Sequence, residues 1–73
     1  MKCRELMGKE VVDAEAKMIG YVRDLDIDLK KWSVTAVVVK TGFIKKVPVL
    51  VSDIDMVGDK VMLKVSINKL QKA

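Results

Sequence analysis

The chain has 73 residues, 51% of them hydrophobic, with one Phe, one Trp, one Tyr and a net charge of +4. That length suits one domain, residues 1–73, with a thin aliphatic core, and its valine-rich composition favours strands over helices. A single cysteine and no histidine exclude an intrachain disulfide, the usual zinc sites and a cysteine–histidine catalytic pair.

Residues 1–7 are short and mixed, with Leu6 as their anchor, and Gly8 punctuates before a first strand over 9–12. Residues 13–17 are polar with two alanines and too short for a stable helix, so they read as a tight connection. Residues 18–28 then form one long strand. Leu25, Ile27 and Leu29 alternate with Asp24, Asp26 and Asp28, the period of two expected of a half-buried strand. Val22 and Leu25 are three apart, so a regular pleat does not bury both. Either Tyr21 faces inward and Arg23 interrupts the row, or a β-bulge sits near Arg23 and Asp24; the bulge is the preferred reading. Gly20 marks a kink or a close backbone approach.

Residues 29–33 hold no Gly, Pro or Asn and predict a loose loop, with Trp32 covering one end of the fold rather than standing at an exposed tip. The strand over 34–39 is apolar or neutral on both faces: Val34, Ala36 and Val38 on one, Thr35, Val37 and Val39 on the other. Lys40, Thr41 and Gly42 end it, and 43–46 form a short connection or strand. Residues 47–51 read as a strand in which Pro48 belongs at the start or on an edge. Residues 52–55 read as a single turn capped by Ser52 or Asp53, with Ile54 and Val57 facing the core. Gly58-Asp59 is a turn, and 60–65 alternate with Val61, Leu63 and Val65 inward and Met62 outward. Ile67 and Leu70 of the tail would plug an open end. The sum is an all-β fold, a small partly open β-barrel of five to six short strands.

Three stretches, Gly8-Lys9-Glu10-Val11-Val12-Asp13, Ile19-Gly20-Tyr21-Val22 and Asp24-Leu25-Asp26-Ile27-Asp28, together resemble the opening of a PRC-barrel domain. Val47-Pro48-Val49, Ser52-Asp53-Ile54 and Gly58-Asp59-Lys60-Val61 resemble its second half. That family includes the cytoplasmic domain of the photosynthetic reaction centre H subunit, the C-terminal domain of a ribosome-maturation factor and small stand-alone archaeal proteins. The resemblance implies a docking domain, with assembly roles that include cell division for the stand-alone members. Its ribosome-maturation relatives imply the alternative, an RNA- or ribosome-associated module.

No catalytic constellation is legible. Ser33, Ser52 and Ser66 lack a base of the usual kind, and no Gly-rich phosphate loop is present. Asp24, Asp26 and Asp28 resemble half of a calcium loop, but the required Gly and Glu positions hold Leu29 and Thr35. The expectation is a non-enzymatic domain without metal or cofactor. The cations are spread along the chain, with Lys30-Lys31 and Lys45-Lys46 as the adjacent pairs, which predicts a solvated basic surface rather than a nucleic-acid face. No apolar run approaches the roughly 20 residues of a membrane span, and no signal peptide is evident, so a cytoplasmic location is expected. If the strands carrying them are neighbours, Val34, Ala36, Val38, Leu50 and Met62 form one outer apolar patch, the candidate interface for a protein partner or a homodimer. The competing expectation is that the terminal segments, with Leu6, Ile67 and Leu70, cover that face.

Overall fold

The computed structural model of the chain describes residues 1–42 and 45–66. Six strands form one mixed sheet: β1 (Glu10–Val12), β2 (Met18–Asp28), β3 (Ser33–Thr41), β4 (Lys45–Leu50), β5 (Ile54–Val57) and β6 (Lys60–Leu63). A four-residue helix, α1 (Cys3–Leu6), precedes them, and a single 3-10 turn, Val51–Asp53, links β4 to β5. The order across the sheet is β4-β3-β2-β1-β6-β5, so β4 and β5 are the edges. β1 and β6 are parallel, and the other neighbours are antiparallel. Only the three-residue turn joins the two edges, which curls the sheet into a partly open barrel.

The core inside the curl is Val11, Ile19, Val22, Val37, Val39, Val49, Val61 and Leu63, with Leu6, Met7, Leu25, Ile54 and Val65 packed against it. Bulges produce the curvature, because an extra residue on one strand increases local twist. Val22 pairs with Val39 and Asp24 with Val38, so Arg23 is the extra residue expected between Val22 and Leu25. Both Val22 and Leu25 thereby reach the core side. A second shift, between the pairs Asp26–Ala36 and Ile27–Val34, leaves Thr35 unpaired on β3. Its hydroxyl donates to the Asp26 carbonyl at 3.3 Å.

The long strand coincides with its expected bounds, and it pairs with β3 as expected. Its far half departs from the half-buried reading. Leu25 packs on the core, but Ile27 and Leu29 are exposed, because the β2–β3 hairpin runs past the end of the barrel. Trp32 does not cover that end; it is 81% exposed. The Asp28 carboxylate accepts from the Lys30 N–H at 2.9 Å, and Trp32 takes a left-handed φ of 52°, a tight turn that carries the ring away from the barrel. Leu6 of α1 lies on that side instead, beside Leu25, Ile27 and Val34.

Further differences are local. The 3-10 turn starts one residue before its expected place and has no side-chain cap; the Ile54 N–H closes it onto the Val51 carbonyl. Residues Ile54–Val57 continue as an edge strand, in which Ile54 meets the core and Val57 is exposed. Expectations for 43–44 and for Ile67 and Leu70 lie outside the described residues.

Candidate interaction faces

Residues paired across a sheet project to the same face, with Cβ atoms about 5 Å apart in antiparallel pairs. The register therefore sorts the outer surface into rows. One row runs across four strands through Met18, Val12, Met62 and Met56. Val12 is nearly buried within it, while the three methionines are 49%, 42% and 60% exposed in that order along the row. Beside the row lies a concave surface lined by Ala14, Ala16, Asp55, Met62 and Lys64. Among the described residues neither Asp55 nor Lys64 has an ion-pair partner.

The five residues read as one patch do not form one. Ala36, Val38 and Leu50 do share the outer face of β3 and β4, because Ala36 pairs with Leu50 and Val38 with Pro48. Ala36 is buried and Val38 half-buried, so Leu50 carries most of the exposed apolar area there. Met62 stands on β6, separated from β3 by β2 and β1. Val34 leaves the outer face altogether: the Thr35 bulge pairs it with Ile27 on the side of Leu25. Met18 and Met56 enter the picture only through the register, which no local pattern announces.

A second outer row runs Lys46, Lys40, Tyr21, Glu10, Lys60. At one end Lys60 Nζ meets Glu10 Oε2 at 2.8 Å across the parallel β1–β6 pair. The hydrogen bond to Glu10, and then its charge, hold the Lys60 pKa above the ordinary 10.5. A raised lysine contributes stability fully present below its unfolded pKa and lost as pH rises through the folded one. The pair's contribution should therefore fade only above about pH 10.5. An NMR titration of the Lys60 side chain should show the elevated midpoint, and Glu10→Gln should return it to the ordinary value.

Two of the β2 aspartates are engaged by backbone N–H groups. The Asp24 carboxylate accepts from the Leu25 N–H at 2.8 Å, and Asp28 serves the hairpin turn. Among the described residues no three His, Cys, Asp or Glu side chains come together as ligands. Cys3 is exposed on α1 and unbonded. Among the described residues no helix is long and apolar enough to cross a membrane.

No curated protein matches this chain closely enough to count as a relative. The family model of the PRC-barrel domain matches residues 1–68 of the 73, a span that contains all six strands, and the chain belongs to that family.

Proposed function

We propose that this domain is a non-enzymatic docking module and that its outer methionine row binds a second copy of the chain. The single observation carrying the proposal is the set of exposed methionines Met18, Met62 and Met56 aligned in cross-strand register over nearly buried Val12. Methionine side chains are flexible and polarizable and adapt to a facing surface. Contiguous exposed apolar surface on a small soluble protein often marks an interface. Charge supports a self-complementary arrangement. Asp55 and Lys64 line the concave surface beside Met62 without ion-pair partners among the described residues, so a charge of each sign stands there for pairing with a second copy. Family membership agrees, because PRC-barrel domains are protein-interaction modules. A role within a larger assembly, such as that of cell division, and a cytoplasmic location belong to the same proposal. The lone free thiol and the absence of a long apolar helix among the described residues are compatible with that location.

Sedimentation velocity at about 100 µM tests it. The wild type should sediment at twice the 8.2 kDa chain mass. Met62→Lys should sediment at the chain mass while keeping a folded amide spectrum. A wild-type monomer, or a dimer indifferent to Met62→Lys, contradicts it.

A further inference from the structure

The end of the second outer row opposite the Lys60–Glu10 pair is built differently. Lys40 on β3 stands directly opposite Lys46 on β4, and Tyr21 on β2 stands directly opposite Lys40. Like charges placed opposite each other across a sheet are destabilising. Nothing among the described residues compensates this pair, since the ion pairs formed there are Lys17–Glu15 and Lys60–Glu10. Arg23 joins them because the bulge frees it from the ladder, and it is exposed. Tyr21, Arg23, Lys40, Met18 and Gly42 line one cleft of about 570 Å³, in which Ile19 and Val22 supply an apolar floor. The Tyr21 ring is half exposed at its rim. Dispersed in the sequence, three cations and an aromatic ring thus converge across three strands, a span of about 10 Å at the usual inter-strand spacing.

We propose that this cleft binds single-stranded nucleic acid, with Arg23 and Lys40 of the cleft and Lys46 beside it on β4 on successive phosphates and Tyr21 stacking a base. The unmatched cations supply the charge that a phosphate backbone neutralises, and the exposed ring beside an apolar floor supplies what an acidic peptide does not need. Single-strand binding sites combine these two elements: a cationic track and an aromatic platform. The cleft shares Met18 with the methionine row but contains neither Met62 nor Met56, so Met62→Lys removes docking without altering the cleft.

The test is fluorescence anisotropy of the full chain with a labelled oligouridylate, an oligodeoxythymidylate serving as the DNA arm. Three phosphate contacts give a salt slope of about −2, so affinity should fall roughly twentyfold between 50 and 200 mM salt. Lys40→Glu with Lys46→Glu should weaken binding at least tenfold more than the charge-matched control Lys30→Glu with Lys31→Glu. Tyr21→Leu should lose about ten- to hundredfold, and Tyr21→Phe should keep the affinity. Amide spectra establish that each variant is folded. No binding at 50 mM salt, equal loss in both double variants, or displacement of the oligonucleotide by polyglutamate as readily as by unlabelled RNA each overturns the proposal, the last in favour of an acidic protein surface.

Discussion

Gly20→Ala is expected to destabilise the domain by about 3 kcal/mol, the upper end of the usual cost of overpacking. A Cβ built on Gly20 falls onto the carbonyl oxygen of Lys40, and also crowds the Val39 side chain at 3.2 Å. The obstructing atom is backbone, held in the β2–β3 ladder by the Tyr21–Lys40 pairing, so no rotamer change relieves the contact. Either β3 withdraws at Lys40 or β2 bends away from β1 at the Gly20–Val11 pair; both open the core around Val11 and Val39, which are fully buried. For a domain of this size the loss corresponds to a fall in melting temperature of roughly 12–24 °C. Gly58→Ala is the control: a Cβ there meets nothing within 4 Å, and the change should be close to neutral. Thermal unfolding followed by circular dichroism compares the two directly.

Asp13→Ala is expected to cost about 2–3 kcal/mol, the penalty of leaving buried donors without an acceptor. Asp13 is 2% exposed, and its Oδ1 accepts from the Glu15 N–H at 2.9 Å and the Lys17 N–H at 2.8 Å. Those bonds, with the Asp13 N–H donating to the Lys17 carbonyl at 2.9 Å, close the connection between β1 and β2. They also hold Ala16 at a φ of 64°, a left-handed conformation that alanine does not adopt willingly. The side chain thus fixes the turn that brings Met18 beside Val12. Asp13→Asn retains an oxygen at the same place and should lose about half as much or less. Urea unfolding should show the order wild type, Asn, Ala, with similar slopes.

How much of this was readable from the chain depends on the range of the interaction involved. The Arg23 bulge was legible because Val22 and Leu25 stand three apart, a conflict within one strand that an extra residue resolves while bringing both to the core side. Gly20 was legible as a kink or a close approach because a glycine stands inside a strand, between Ile19 and Tyr21, and the close approach is the one found. The Thr35 bulge was not legible, since β3 is apolar or neutral on both faces and a slip leaves no mark on the pattern. Val34 was accordingly assigned to the wrong face. Trp32 was misread because a large ring is usually buried, whereas here the turn at Asp28 sets its direction. The candidate faces were the least legible part. The methionine row depends on the parallel β1–β6 pair, which joins residues about 50 positions apart. The Lys40–Lys46 pair depends on the exact length of the connection between β3 and β4. Both are consequences of register, and register is decided by the whole sheet.

The most direct test of the docking surface uses the five methionine methyl groups as probes. Protein labelled only at methionine methyls with carbon-13 is mixed with unlabelled protein, and intermolecular NOEs are recorded by isotope filtering. The account predicts intermolecular NOEs to the methyls of Met18, Met62 and Met56, and none to Met1 or Met7. Dimer NOEs confined to Met1 or Met7, or a dimer without any NOE to the three methionines of the row, would contradict it.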